Sequence, residues 1–384
     1  MKRAIYFDYN ATTPLDPQVR AAMLPFFDEV WGNPSSIHQI GRRARALLDD
    51  ARDRVGAALG CKSSEVVFTS GGTESSNLAV FGTARLLRDK GRHLITSSVE
   101  HHAVLHCFDY LECKEGFAVT RLPVDAAGRV GVEDFRRALR PDTVLASVMA
   151  ANNETGTLQP VAEIGALCRE RGVIFHTDAV QVLGKQPFAD IHEFNADLVS
   201  ICAHKLHGPK GAGALFIRSP LHPDPVQFGG AHENERRAGT ENLPAIIGLT
   251  EALERFIRVP VFEAARLAPL TERLLATVQT LEGVHFRGSA TARLANTLAF
   301  TVAGTDSIAL LAALDMEGVC ASSGSACSAG SLEPSHVMLA MGAPKAEANA
   351  LVRLSLGRDT TPAEVETVAA LLPGVIRQVQ RRTI

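Results

Sequence analysis

Two stretches decide the fold: Gly172-Val-Ile-Phe-His176-Thr-Asp178-Ala-Val-Gln181 and, about 25 residues further on, Asp197-Leu-Val-Ser-Ile-Cys202-Ala-His204-Lys205-Leu-His-Gly-Pro-Lys-Gly-Ala-Gly213. Each opens on an apolar run of strand length. The first run ends in an acid, and the second in a lysine that enters a Gly-Pro turn. Short apolar runs that end in chemically committed side chains are the pattern of a mainly parallel sheet, whose ligands sit beyond the strand C-termini. A lysine desolvated at such a strand end, beside other cationic groups, holds its proton less firmly and can attack a carbonyl to form a Schiff base.

Taken singly, each residue has an ordinary reading, Lys205 as a solvated turn lysine and Asp178 as a helix cap. Together they change the balance. A Schiff-base amine and a strand-end carboxylate suit pyridoxal 5'-phosphate, whose electron-sink role requires an anion at its pyridinium nitrogen. Further apolar runs precede them: Glu65-Val-Val-Phe-Thr69, His93-Leu-Ile-Thr96, Ala118-Val-Thr-Arg-Leu122 and Val144-Leu-Ala-Ser-Val-Met149. Helix-like segments such as Ser75 to Lys90 and Glu133 to Leu139 separate them, so an α/β layer fold is expected. His101, Asn153, Asp178 and Lys205 all fall just after such runs. A long helical region from about Pro244 to Leu281, the strand-like Thr297–Val302 and the helical Ser307–Met316 point to a second, smaller α+β domain.

Length and composition agree. The chain has 384 residues, 46% hydrophobic and 21% charged, which exceeds the usual limit of about 250–300 residues for a single core. A net charge of −3 gives no reason to expect nucleic acid, and the basic Arg42, Arg43 and Arg45 read as a solvated helix face. No apolar run approaches a membrane span, and the N-terminus shows no signal-peptide pattern, so a cytoplasmic protein is expected. Seven cysteines without CxxC pairs argue against a disulfide framework and against a metal site.

The glycines of Thr69-Ser-Gly-Gly-Thr-Glu-Ser-Ser-Asn77 follow one strand and precede a helix, where backbone amides and the Thr73 hydroxyl can receive a phosphate. The ordinary reading is a β-to-α turn with Thr73 or Ser75 as N-cap. With this segment, Tyr6-Phe-Asp-Tyr-Asn-Ala-Thr-Thr-Pro14, Gly32-Asn-Pro-Ser-Ser-Ile-His38, Glu100-His-His-Ala-Val104, Asn152-Asn-Glu-Thr-Gly156, Arg237-Ala-Gly-Thr240, Ser322-Ser-Gly-Ser-Ala-Cys327 and Arg353-Leu-Ser-Leu-Gly357, the chain resembles, nearly end to end, the fold-type I pyridoxal-phosphate enzymes. Within them it is similar to the cysteine desulfurases of the NifS/IscS type. The resemblance implies an aspartate aminotransferase-like fold, with a large cofactor-binding domain over residues 16–260. Residues 1–15 plus 261–384 would form the small domain, carrying a cysteine loop at about 321–332.

The resemblance also assigns roles. Lys205 would carry the cofactor, Gly72, Thr73, His204 and the residue at Cys202 would hold its phosphate, and His101 would stack on its ring and exchange protons nearby. Asp178 would pair with the ring nitrogen, Asn153 and Gln181 with the phenolic oxygen region, and Thr240 with the phosphate of a second subunit, which implies a homodimer. Arg353, assisted by Asn33, would bind the carboxylate of L-cysteine. Cys327 stands in a run of small residues with much backbone freedom, which suits a moving arm. It matches the family's persulfide-forming thiol, from which sulfur passes to an iron-sulfur scaffold protein or another acceptor. One position departs: Cys202 stands where the family usually has a serine that donates to the phosphate. A thiol donates more weakly, so cofactor retention is expected to be looser by about 1 kcal/mol. An aminotransferase would use the same lysine and aspartate but has no need of Cys327, and a selenocysteine lyase or a non-catalytic assembly scaffold are the remaining alternatives.

Overall fold

The computed structural model describes residues 4–324 and 333–382, so Cys327 and the centre of its loop lie outside the described residues. In chain order the strands are β1 (Ile5–Tyr6), β2 (Val66–Thr69), β3 (His93–Ser97), β4 (Ala118–Leu122), β5 (Thr143–Ser147) and β6 (Ile174–Asp178). They continue as β7 (Leu198–Cys202), β8 (Gly213–Ile217), β9 (Val284–Arg287), β10 (Thr297–Val302), β11 (Val319–Cys320) and β12 (Leu351–Ser355).

Seven of them form the main sheet in the order β2-β8-β7-β6-β5-β3-β4. The pairs among β3 to β7 are parallel, whereas β8 runs antiparallel to both β7 and β2. Two reversals cancel, so β2 ends at the same edge as β3, β5, β6 and β7. Strands β2, β5 and β7 are buried at every residue, and this explains why their sequences read as continuous apolar runs rather than alternating ones. Helices Gly72–Leu87, His102–Glu115 and Val161–Arg171 fill the crossovers. The first begins three residues earlier than the sequence suggests, directly on the glycine turn. Its N-cap is Gly71, at φ 152 and ψ −174, without a side-chain cap.

A second sheet, β12-β10-β9, is antiparallel, and β1 pairs with β11 in parallel. One large core draws on residues between Val19 and Ile257 together with Leu294. Another draws on Phe7, Tyr9 and residues between Phe262 and Val379. The helical region expected over Pro244 to Leu281 is two helices, Leu243–Phe256 and Ala264–Gln279. Pro260 lies in the break, where it withholds an amide and restricts the residue before it. Among the described residues no helix is long and apolar enough to cross a membrane, and the six described cysteines are free thiols.

Gly213, the first residue of β8, lets the glycine turn after β2 lie against the sheet. A Cβ there would stand 2.6 Å from both the Gly71 Cα and the Ile201 carbonyl oxygen. Because both neighbours are backbone, Gly213→Ala is expected to lower the unfolding free energy by about 1–3 kcal/mol, read from the urea midpoint. An unchanged midpoint would mean that the turn has room to retreat.

Candidate active site

The five strand ends at the shared edge surround one cavity. Its lining includes Gly72 and Thr73 after β2, His101 after β3, Asn153 after β5, and Asp178 and Gln181 at and beyond the end of β6. Cys202, His204 and Lys205 at the end of β7 join them, with Asn10, Ala11 and Arg353 closing the side opposite the main sheet. Thus ten of the residues singled out from sequence meet in one place. Thr240 does not face it. It is exposed and lines a separate cavity with Ser70 and Arg237. Asn33 is also exposed and caps the Ser35 amide at 2.8 Å.

Lys205 ends a single 3-10 turn that follows β7. Its Nζ donates to the Asn10 carbonyl at 2.6 Å and to the Ala11 carbonyl at 2.7 Å. Burial, and then the Arg353 cation, pull its pKa down to about 8. At neutral pH a sizeable fraction is therefore free amine, as Schiff-base formation needs. Asp178 is buried, and Oδ1 accepts from the Val180 amide at 2.9 Å. Burial pushes its carboxyl up to about 6, which marks a carboxylate that lacks a cation of its own and has room for one in the cavity.

His101 caps helix His102–Glu115, its Nδ1 accepting from the Ala103 amide at 3.1 Å. Burial, then the Lys205 charge, lower its pKa to about 4. A neutral imidazole whose Nδ1 accepts must carry its proton on Nε2, so the ring offers one N–H donor. Arg353 is almost fully buried on β12. It donates to Asp8 Oδ1 at 2.7 Å and to the Asn153 carbonyl at 2.8 Å, while its Nε has no partner among the described residues. An arginine fixed by two neighbours in the cavity wall is held in place to meet a carboxylate.

At the glycine turn, the amides of Gly72 and His204 are directed at the Cys202 sulfur, and burial raises the pKa of that thiol. The helix N-terminus without a side-chain cap, Thr73 and His204 make a cradle for a dianionic phosphate. A Cβ on Gly72 would meet Val180 Cγ2 at 2.8 Å, so only glycine leaves the turn this close to the sheet. Together with Asp178, which has no ion-pair partner among the described residues, and the depressed Lys205, the residues present fit pyridoxal phosphate.

Several residues that shape the site carry no role in the sequence reading. Asp8, Asn10 and Ala11 belong to a quoted motif, yet only the structure shows that they hold Arg353 and Lys205. Glu100 is fully buried behind the cavity. It accepts from Ser97 Oγ at 2.5 Å and from the Met149 amide at 2.9 Å, and burial pushes its pKa up to about 8.

Comparison with known proteins agrees with this geometry. The aminotransferase class-V family model matches residues 5–368. The chain is 46% identical over 379 residues to "Cysteine desulfurase IscS" of Methanosarcina thermophila, covering 98% of this chain and 93% of that protein. It is 46% identical over 381 residues to the protein of the same name from Dictyoglomus turgidum, covering 99% and 96%. Among solved structures, a "NIFS-LIKE PROTEIN" superposes with a TM-score of 0.88 at 34% identity over 99% of both chains. "SspA in complex with cysteine" superposes with a TM-score of 0.81 at 35% identity, over 93% of this chain and all (100%) of that one.

Two outcomes follow for the cofactor. The rate at which cofactor-free protein combines with pyridoxal phosphate, followed by the growth of the lysine-bound absorbance, is expected to rise as pH passes through about 8. A midpoint above about 10, the range of an ordinary lysine, would contradict the depressed amine. Cys202→Ser should tighten the cofactor dissociation constant about five-fold, equivalent to about 1 kcal/mol. An unchanged constant would show that the thiol costs nothing.

Proposed function

The chain belongs to the aminotransferase class-V family and is a pyridoxal-phosphate-dependent cysteine desulfurase, and on that premise we propose that Lys205 is its Schiff-base lysine and general base, Asp178 the partner of the ring nitrogen, Arg353 the holder of the substrate carboxylate and Cys327 the sulfur acceptor. The observation that carries this reading is the one cavity whose wall is shared by Lys205, Asp178 and Arg353. When bound, the cofactor supplies an electron sink that acidifies the substrate α-carbon and weakens its Cβ–S bond.

The residues divide the remaining work. Arg353, already oriented by Asp8 and Asn153, fixes the carboxylate of L-cysteine and so brings the α-proton before Lys205. The Lys205 amine removes that proton, its depressed pKa keeping it competent as a base near neutral pH. His101, neutral and protonated on Nε2, can donate to or orient groups over the ring. The Cys327 thiolate attacks the substrate sulfur, forming an S–S bond as the Cβ–S bond breaks. The carbon fragment leaves as L-alanine, and the bound sulfur remains as a persulfide. A persulfide is transferred by attack of another thiolate, so the partner is a protein or small molecule with a receiving sulfur, such as a scaffold for iron-sulfur clusters.

Thr240 and Arg237 open away from this cavity, and a homodimer in which Thr240 reaches the second subunit's phosphate gives that placement a purpose. Free thiols throughout the described chain suit a reducing, cytoplasmic setting.

The test is incubation of the purified protein with L-cysteine, monitoring cofactor absorbance, alanine and sulfide, with Cys327→Ala alongside. Wild type is expected to release both products, and Cys327→Ala is expected to stay yellow and release neither. Alanine formation undiminished by the substitution would instead indicate a lyase or another sulfur acceptor, and a colourless inert protein would favour an assembly scaffold.

A further inference from the structure

Behind Lys205 lies a second lysine that the proposed mechanism does not use. Lys185 is 2% exposed, and no carboxylate forms an ion pair with it among the described residues. Its Nζ donates to Gln181 Oε1 at 2.5 Å and to Asn10 Oδ1 at 2.7 Å, with the Phe262 ring centroid 5.1 Å away. Burial, then Lys205 and Arg353, drive its pKa well below that of an ordinary lysine. Two neutral acceptors, and no anion among the described residues, meet its N–H donors.

The residue it holds is the one on which Lys205 rests. Asn10 Oδ1 also accepts from Asn296 Nδ2 at 3.1 Å, and Asn10 Nδ2 donates to Thr297 Oγ1 at 2.9 Å. The Asn10 amide donates to Ser355 Oγ at 3.0 Å, and Gln181 Nε2 donates to the Asn10 carbonyl at 3.0 Å. Three residues later, the Thr13 hydroxyl donates to the His204 carbonyl at 3.0 Å. The strap from Asp8 to Thr13 is thus gripped from the β10 and β12 side by Asn296, Thr297 and Ser355, and from the main-sheet side by Lys185 and Gln181.

We propose that the Asn10 and Ala11 carbonyls are the seat that receives the Lys205 amine whenever it is not bonded to the cofactor, and that Lys185, acting through the Asn10 side chain, is the positioning residue that holds this seat. The inference rests on the reading of Lys205 as Schiff-base lysine and base. A neutral amine with both N–H groups tied to carbonyls has one direction left for its lone pair, so the seat fixes where it points. On taking the α-proton the nitrogen becomes an ammonium with a third N–H. The C–H electron pair stays with the substrate carbon, where the bound cofactor would supply the electron sink, and the two carbonyls favour the new positive charge. A fixed seat therefore aims the base before proton removal and supports the ammonium after it. A base displaced by about 1 Å can lose as much as about 10²-fold in rate.

The seat matters only when Lys205 is released, and this separates the proposal from a purely structural role. Lys185→Met is expected to keep the resting absorbance of wild type, and washout in Lys185→Met and Asn10→Ala is read per bound cofactor. In the cofactor-free protein, amide hydrogen exchange in the peptide over residues 8–13 should speed up about ten-fold. With α-deuterated cysteine, washout of deuterium into water should slow about ten-fold or more. Lys205→Ala is the control. If it still washes out deuterium at the wild-type rate, the reading of Lys205 as base fails. If it does not, but Lys185→Met and Asn10→Ala match wild type in exchange and washout, the seat alone is overturned. Washout that falls only in proportion to lost cofactor also overturns it. Should one variant fail to fold, the other decides.

Discussion

A lysine amine withdrawn from water at the end of β7 must find hydrogen-bond acceptors, and the rest of the site follows from how this protein provides them. A carboxylate would give the strongest support, but it would fix the ammonium form and silence the amine as nucleophile and base. Two backbone carbonyls, from Asn10 and Ala11, satisfy the nitrogen without adding formal charge. Because carbonyls of a short strap can serve only if the strap is immobile, buried polar side chains converge on Asn10 from both sheets. A hydrogen bond between neutral groups is worth about 1 kcal/mol, whereas losing one partner strands a buried polar atom at greater cost.

The charges around the cavity follow the same economy. Arg353 pairs with Asp8, which only partly offsets its charge, so its field still lowers the Lys205 pKa. Asp178 stands apart, held by one amide, so its charge is best satisfied by a cation that arrives with a ligand. Glu100, pushed toward its neutral form by burial, adds little competing negative charge near Asp178. Acid, amine and guanidinium therefore coexist in one space without cancelling one another.

Much of this was legible in the chain. The strands β3, β5, β6 and β7 announce themselves because parallel strands covered on both faces must be largely apolar, and the chemistry at their ends stands out against those runs. The reversal of β8 was not legible. Gly213-Ala-Leu-Phe-Ile217 reads like any other buried strand, and its direction is set by the turn after Lys205. The break near Pro260 was visible in principle, since proline ends helices, but amphipathic sequence on both sides masks it. Asp8, Asn10 and Lys185 were unreadable as functional residues for a deeper reason. Asn10 meets Lys205 across 195 positions and Ser355 across 345, and no local pattern encodes such meetings. Thr240 and Asn33 show the converse: their motifs are plain, yet both are exposed and neither lines this cavity.

The span between Asn10 and Ser355 also orders events during synthesis. The strap at Asn10 finds its anchor, Ser355, 345 positions further along, and β2 finds β8 only after more than a third of these 384 residues have followed it. From its own synthesis until those segments meet, the future reactive lysine is an ordinary, solvated, protonated one. Reactivity toward aldehydes therefore arises from closure of distant segments and not from any local stretch.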